Sequence, residues 1–256
     1  MAGILYLVPN TLGTPDASNS GRAAAGHPLD AIIPREVQAL TARLDHFIAE
    51  NAKTTRAFLK LLGSAQPLKK PIQEISIAEL NVNTPPAGLP ALLTPLLAGH
   101  DVGLISEAGV PAVADPGANL VRLAHQHGIT VKPLVGPSSL LLSVMASGLN
   151  GQSFAFNGYL PTDVTARAKR IRQLEERSRH EKQTQLLIET PYRNAAMLEA
   201  LAATCQPATL ISVATDLSLP QESVRTQTAA QWKTALTAGK GPDFHKKPTV
   251  FLLLAD

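Results

Sequence analysis

Short apolar runs rich in β-branched and aromatic residues recur along the chain, each bounded by polar or turn-forming residues. We interpret them as β-strands, because buried strands are short and favour such residues. The runs begin at Ile4, Val102, Ile129, Phe154, Gln185, Thr209 and Thr249. Segments with helical spacing lie between them. This alternation indicates an α/β protein with largely parallel strand pairing in at least its first half.

Several helical segments have recognisable faces or ends. Apolar residues share one helical face at Val37, Leu40, Leu44 and Phe47, and others precede glycines at Gly99 and Gly128. Glycine is favoured immediately after a helix, so these two positions are predicted helix ends. A further helix is expected between Gly136 and Gly148, near the middle of the chain. We therefore expect an N-terminal α/β domain of residues 1–136 and a C-terminal α/β domain of residues 137–256.

The composition indicates the class of protein but does not identify a binding partner. Hydrophobic residues make up 45% of the chain, which indicates a globular protein, and a net charge of +3 permits nucleic acid without requiring it. The single cysteine, Cys205, excludes an internal disulfide and fits a reducing cytoplasm. No apolar run approaches membrane-spanning length, so we expect a soluble cytoplasmic protein without a membrane partner. His125 and His127 point to different helical faces, and we expect no metal site.

Two loops carry the strongest indication of a binding site. The first, "ISEAGVPAVADPG" (Ile105 to Gly117), follows a predicted strand, and Gly109 removes side-chain bulk where the chain leaves it. Asp115 is expected to cap the next helix. The second, "VGPSS", places Ser138 and Ser139 at the start of a helix. Open α/β sheets bind ligands at this edge, so the loops predict a pocket, with a pair of ordinary turns as the alternative.

Common nucleotide-binding and hydrolytic signatures are missing. The sequence has no G-x-G-x-x-G after its first strand, no G-x-x-x-x-G-K-[ST] and no G-x-S-x-G. These absences argue against a Rossmann dehydrogenase, a P-loop nucleotidase and an α/β-hydrolase. The first strand is followed instead by a loop at residues 10–28 that is long for a connection inside a domain. We expect this loop to be either mobile or a functional lid.

One segment concentrates positive charge. The stretch from Arg167 to Lys182 is predicted to form a helix that buries Ile171 and Leu174. Its outward residues are expected to be Arg167, Lys169, Arg170 and Arg177, partly compensated by Glu175 and Glu176. Such a face is either simply solvated or in contact with phosphates of a nucleic acid. No aromatic residues are interleaved with it, so base stacking is not indicated.

Segments distributed along nearly the whole chain resemble one known family. They are "LYLVPNTLG", "FIAENAKTTRAFL", "LISEAGVPAVADPGANLVRLAHQHGI", "PLVGPSS", "FAFNGYLP", "LLIETPYR", "ISVATDLSLPQE" and "KKPTVFLLL". Together they resemble the tetrapyrrole methylase-like (class III) S-adenosylmethionine-dependent methyltransferases. Within that family they are most similar to the bacterial small-subunit ribosomal RNA cytidine 2′-O-methyltransferases.

The resemblance implies a fold, a cofactor and a substrate. The fold would be a two-domain tetrapyrrole methylase-like α/β structure, with a mainly parallel N-terminal sheet, a mixed C-terminal sheet and homodimeric assembly. S-adenosyl-L-methionine would lie in a cleft between the domains, and ribosomal RNA would be methylated at a ribose 2′-oxygen. By the family pattern, cofactor contacts would fall on Leu12, Gly13, Ala108, Gly109, Val110, Val113, Ser138, Ser139, Glu189, Ala214, Pro248 and Thr249.

A ribose hydroxyl is a poor nucleophile, so a general base would assist its methylation. Glu107 and Glu50 are the predicted catalytic residues, because Asp115 is assigned to a helix cap. The segment "FIAENAKTTRAFL" departs from the ribosomal RNA branch, since its "ENAK" replaces the usual acid-acid-Thr-Arg run of that branch. Two alternatives therefore stay open: a methyltransferase of a tetrapyrrole or another small metabolite, and a non-catalytic homologue that binds S-adenosylmethionine or RNA.

Overall fold

A computed structural model describes residues 1–13 and 27–256. Most of the long loop predicted at residues 10–28 lies outside the described residues. The chain divides into two units, Met1–Ser138 and Ser139–Asp256. In the described part, no helix is long and apolar enough to cross a membrane.

The first unit is a parallel sheet with helices on both faces. Its strands run in the order β3-β2-β4-β1-β5, and every pair is parallel. The carboxyl ends of these strands therefore meet at one edge. The elements are β1 (Leu5–Val8), α1 (Arg35–Ala42), β2 (His46–Ala49), α2 (Ala52–Ala65), β3 (Ser76–Glu79), α3 (Leu89–Leu92), α4 (Thr94–Leu97), β4 (Val102–Ile105), α5 (Ala118–Gln126) and β5 (Val131–Pro133).

The central strands of this sheet are apolar because both of their faces are covered. On one face, Val8, Phe47 and Ile105 pack with residues of α1 and α2. On the other, Leu5 and Leu104 pack with residues of α3, α4 and α5. Successive residues of one strand, such as Leu104 and Ile105, thus pack into the cores on opposite faces of the sheet, and this alternation fixes the register.

The second unit is a mixed sheet in the order β6-β7-β10-β8-β9. Only the β6–β7 pair is parallel, and the other three pairs are antiparallel. The elements are α6 (Ser139–Ser147), β6 (Phe154–Phe156), α7 (Val164–Glu181), β7 (Thr184–Glu189), α8 (Asn194–Thr204), β8 (Leu210–Thr215), β9 (Ser223–Thr228), α9 (Ala229–Thr237) and β10 (Thr249–Leu254). The core includes Trp232, whose indole N–H donates to the Ile211 carbonyl at 2.9 Å.

The structure confirms the predicted fold class, with a parallel first sheet and a mixed second sheet. Each apolar run predicted as a strand contains one, and Gly99 and Gly128 follow helices with positive φ of 93° and 64°. The placement of Leu44 and Phe47 on a helical face with Val37 and Leu40 is wrong. Helix α1 ends at Ala42, so Leu44 lies beyond it, and Phe47 lies in β2, a strand of only four residues.

The predicted outer face of the basic helix also needs correction. Helix α7 buries Ile171 and Leu174 as expected, but it also buries Arg167, which is 9% exposed. Glu175 is buried too, because its carboxylate accepts hydrogen bonds from the Gln206 N–H at 2.7 Å and from the Thr209 hydroxyl. Glu175 therefore anchors the helix to the chain before β8 and does not offset the exposed positive charge.

Candidate functional site

A buried asparagine joins two loops at the carboxyl edge of the first sheet. The Asn10 side-chain amide donates to the carbonyls of Ser106 at 3.1 Å and Glu107 at 3.0 Å, and its oxygen accepts from the Thr11 N–H at 2.8 Å. The Asn10 backbone N–H donates to the Gly109 carbonyl at 2.8 Å. Sequence reasoning missed Asn10, although a polar residue just past β1 was a usable signal.

Two glycines allow a third loop to approach the first two. Gly109 has φ of +66°, and a Cβ there would lie 3.2 Å from a methyl carbon of Leu12 and 3.5 Å from the Pro137 carbonyl oxygen. A Cβ on Gly136 would lie 2.1 Å from the Cβ of Pro9, a distance that no side chain can adopt. The loops after β1, β4 and β5 therefore converge at the carboxyl edge of the sheet, a place that we call the glycine cradle. Ligand binding there stays a prediction.

The cap predicted at Asp115 is wrong. Helix α5 begins at Ala118 after Gly117, and no side chain caps it. Ala112 and Ala114 both have φ of 65°, a conformation that residues with a Cβ rarely adopt. This path frees the Asp115 carboxyl from the helix end, and it forms a hydrogen bond with the Ser106 side chain instead.

Three carboxyl groups gather beside this cradle. Burial, followed by the charges of Glu50 and Glu107, raises the pKa of Asp115 to about 6, although the hydrogen bond with Ser106 lowers it in part. Glu50 is held in place because its carboxylate accepts from the Glu107 backbone N–H at 3.1 Å. The predicted catalytic residues Glu50 and Glu107 thus lie together, next to an acid that sequence reasoning had assigned elsewhere.

The remaining predicted residues of the first unit lie on the same loops. Gly13 and Val110 are half-buried, whereas Ala108 is exposed and Val113 is 47% exposed. Ser138 is half-buried and immediately precedes α6, whose first residue is Ser139.

Asn51, which replaces the second acid in "ENAK", caps α2. Its side-chain oxygen accepts from the N–H groups of Lys53 at 2.9 Å and Thr54 at 3.4 Å. An aspartate would make the same hydrogen bonds. The departure at this position therefore preserves the local structure that presents Glu50.

The other four predicted cofactor residues meet at one edge of the second sheet. Thr249 pairs with Glu189 on one side, Val250 pairs with Ala214 on the other, and the Pro248 carbonyl accepts from the Asp216 N–H at 3.1 Å. The Glu189 side chain is 1% exposed and forms an ion pair with Arg193 at 2.9 Å. Its carboxylate is therefore already engaged within the chain.

A cavity of about 390 Å³ lies elsewhere, at the amino end of the first sheet. It is lined by Tyr6, Leu40, Arg43, Leu44, Asp45, Lys69, Gly99, His100 and Asp101, none of which was predicted to bind a ligand. Parallel sheets bind ligands at their carboxyl edge, so the glycine cradle is the candidate functional site. The described residues contain no group of three or more His, Cys, Asp or Glu side chains placed to hold a metal ion.

Comparison with known families supports the resemblance drawn from the motifs. Residues 31–232 match the family model described as Tetrapyrrole (Corrin/Porphyrin) Methylases. The chain belongs to the tetrapyrrole methylase family. The matched range contains two of the three convergent loops, those after β4 and β5, together with Glu50 and Asp115.

Curated relatives in this family carry the name Ribosomal RNA small subunit methyltransferase I. The protein from Xylella fastidiosa is 33% identical over 186 residues, which cover 73% of this chain and 63% of the relative. That from Mesorhizobium japonicum is 34% identical over 224 residues, covering 88% and 67%. That from Pseudomonas aeruginosa is 40% identical over 107 residues, covering 42% and 36%. The chain thus spans between about a third and two thirds of the length of these relatives.

Two solved methyltransferase structures share the fold of this chain. The crystal structure of the methyltransferase CobJ matches with a TM-score of 0.60 at 16% identity, covering 99% of this chain and 94% of that chain. The uroporphyrin-III-C-methyltransferase from Thermus thermophilus matches with a TM-score of 0.51 at 17% identity, covering 99% and 93%. At these identities the matches establish the fold alone.

Proposed function

We propose that this member of the tetrapyrrole methylase family is an S-adenosylmethionine-dependent methyltransferase that methylates ribosomal RNA at a ribose hydroxyl. The observation that carries the proposal is the glycine cradle at the carboxyl edge of the first sheet, with three carboxyl groups beside it. The names of the curated relatives support RNA as the acceptor.

The cradle fits a ligand that is gripped by backbone groups. A side chain on Gly136 would collide with Pro9, and one on Gly109 would press against Leu12, so the two glycines allow the loops to pack closely. Ala108, between Glu107 and Gly109, is exposed. Leu12 lies against Gly109, so these residues would hold S-adenosylmethionine together with Val110 and Ser138. When bound, S-adenosylmethionine supplies a methyl group that its sulfonium has already activated. The chain must then position the acceptor and exclude water.

We infer that the carboxyl cluster takes up the proton of the RNA hydroxyl as the oxygen of that hydroxyl becomes methylated. An efficient general base has a pKa near the operating pH. The pKa of Asp115, raised to about 6 by its burial, satisfies this condition, because the group is largely ionised at neutral pH and still more basic than an ordinary aspartate. In this scheme Asp115 takes the proton, while Glu50 holds the Glu107 backbone and keeps Asp115 basic.

We further propose that the protein acts as a homodimer in the cytoplasm. The family resemblance supports the dimer, and the buried free thiol of Cys205 fits a reducing compartment.

Methyl transfer provides the test of the acceptor. Purified protein is incubated with tritium-labelled S-adenosylmethionine and small ribosomal subunits from a strain that lacks the gene. We expect label in the ribosomal RNA, on nucleosides that retain their methyl group on the ribose after digestion. Label in base moieties would contradict the ribose assignment. Transfer only to a small-molecule extract that contains tetrapyrroles would replace RNA with a metabolite as the substrate.

A further inference from the structure

The chain leaves two neighbouring strands of the second sheet at the same edge. Strands β6 and β7 are parallel, and the pairing extends past β6, since the Asn157 N–H donates to the Leu186 carbonyl at 2.8 Å and the Ile188 N–H donates to the Gly158 carbonyl at 3.1 Å. The loop before α7 and the turn before α8 therefore leave the sheet at the same edge. Glu189 and Thr249, both predicted cofactor residues, lie at that edge too.

Two tyrosines are exposed at this edge. Tyr159 is 58% exposed and Tyr192 is 81% exposed. The Arg193 guanidinium carbon lies 5.4 Å from the centre of the Tyr192 ring, and Arg193 is itself fixed by its ion pair with the buried Glu189. The arginine thus lies over one face of the Tyr192 ring, while most of the side chain is exposed to solvent. An exposed aromatic ring is suited to stacking on a planar group.

Positive charge surrounds the same edge. Between Val164 and Leu174, helix α7 carries four basic residues, Arg167, Lys169, Arg170 and Arg172, and no acid. The Arg170 guanidinium reaches back to the Asn157 side-chain oxygen at 3.3 Å, which places it beside the loop that carries Tyr159.

Arg167 adds an observation that points to a ligand. Arg167 is 9% exposed. Its Nη1 donates one long hydrogen bond of 3.5 Å to the Thr162 carbonyl, and its Nε has no hydrogen-bond partner among the described residues. No carboxylate of the described residues forms an ion pair with Arg167. A buried guanidinium without a counter-ion is costly, and a phosphate beside it would supply the missing charge and acceptor.

We propose that this edge, formed by Tyr159, Arg167, Arg170, Tyr192 and Arg193, binds single-stranded RNA. Tyr192 stacks on an unpaired base, and Arg167 and Arg170 contact the adjoining phosphates. Bases of an intact duplex do not expose their faces, so stacking selects an unpaired segment. The inference rests on the proposed RNA methyltransferase function and assigns part of its substrate site. It adds base stacking, which the sequence of α7 alone did not indicate.

The test compares Tyr192→Ala with Tyr192→Phe. Fluorescence anisotropy would measure the binding of a short fluorescein-labelled single-stranded RNA and of an abasic RNA of the same length. We expect Tyr192→Ala to weaken binding of the base-bearing RNA by about 5- to 150-fold, the range found for loss of one stacked base. Binding of the abasic RNA should be unchanged. Tyr192→Phe should bind both RNAs like the parent, because it keeps the ring.

The phosphate contact proposed for Arg170 is tested separately, with a matched control variant. Arg170→Gln should reduce the slope of log K against log salt by about 0.7, the value for one lost phosphate contact on a single strand. Arg122→Gln makes the same change on the exposed surface of α5 and should leave the slope unaltered. Equal slopes for the two variants would overturn the phosphate contact.

Other outcomes separate this inference from the proposed function. If the parent binds and methylates RNA but Tyr192→Ala binds base-bearing RNA normally, the stacking proposal is wrong and the proposed function stands. If the parent binds no RNA at low salt, RNA as the acceptor is wrong as well. Sedimentation of the Tyr192→Ala variant distinguishes a protein interface, since conversion of a dimer to a monomer would assign this surface to a second copy of the chain.

Discussion

Replacing Gly109 with valine is expected to abolish binding of S-adenosylhomocysteine, with a loss of affinity of at least about 100-fold, or about 2.7 kcal/mol. Gly109 has φ of +66°, its carbonyl accepts from the Asn10 N–H at 2.8 Å, and its Cβ position lies 3.2 Å from Leu12. A β-branched side chain there would push the loop after β1 away from the loop after β4. Isothermal titration calorimetry measures the loss directly.

Gly128→Val is the matched control. Gly128 has nearly the same backbone conformation, with φ of +64°, but a Cβ there meets no atom within 4 Å. Each variant carries the strain of a left-handed residue, about 1–2 kcal/mol. Gly109→Val adds a close contact with Leu12, so its thermal stability without ligand should fall at least as far as that of Gly128→Val. Only Gly109→Val should lose the cofactor. Normal binding by Gly109→Val would show that the loop is an ordinary turn and that the site lies elsewhere.

Replacing Asp115 with asparagine is expected to lower kcat for RNA methylation by about 10²- to 10⁴-fold, the usual contribution of a general base. In the parent, kcat/KM should be low at acidic pH and rise through a pKa of about 6, because the base must be ionised to accept the proton. The asparagine variant should lose this rise. Cofactor affinity should be retained, since asparagine is nearly the same size and can still bond with Ser106.

Glu107→Gln tests the competing assignment from sequence. If Asp115 is the base, removing the Glu107 charge should shift the rising limb of the pH profile to lower pH, because that charge raises the pKa of Asp115. Its maximal rate should remain within a few-fold of the parent. A full loss of activity in Glu107→Gln, with Asp115→Asn active, would restore Glu107 as the base.

The apolar runs predicted the buried strands because burial on both faces leaves a continuous hydrophobic signature, as in "VGLI" of β4. Elements without that signature were missed. Strand β9, "SVRTQT", lies at a sheet edge and is mostly polar, and β2 is so short that the helical spacing of Val37, Leu44 and Phe47 masked it. Local spacing cannot distinguish these cases, because tertiary packing decides them.

The glycine-rich loops of the candidate site could be predicted from the sequence, but the position of its acidic side chains could not. Gly109 and the segment before Ser138 were found because their residue types suit close backbone approach. Asp115 was misassigned because Asp-Pro-Gly before an apolar helix is a strong local cap signature, and only the positive φ of Ala112 and Ala114 redirects it. Likewise, helical periodicity placed Arg167 on the outer face of α7, because it does not show the tertiary contacts of a residue, such as that with the Thr162 carbonyl.

Calorimetric titration of the unmodified protein with S-adenosylhomocysteine tests the central claim most directly. The account predicts saturable binding, together with a rise in stability of about 2.7 kcal/mol when the ligand is present at one hundred times its dissociation constant. Gly128→Val should bind with the same affinity as the parent. No heat of binding and an unchanged melting temperature at saturating ligand would contradict the assignment of this cradle to S-adenosylmethionine, and with it the methyltransferase function.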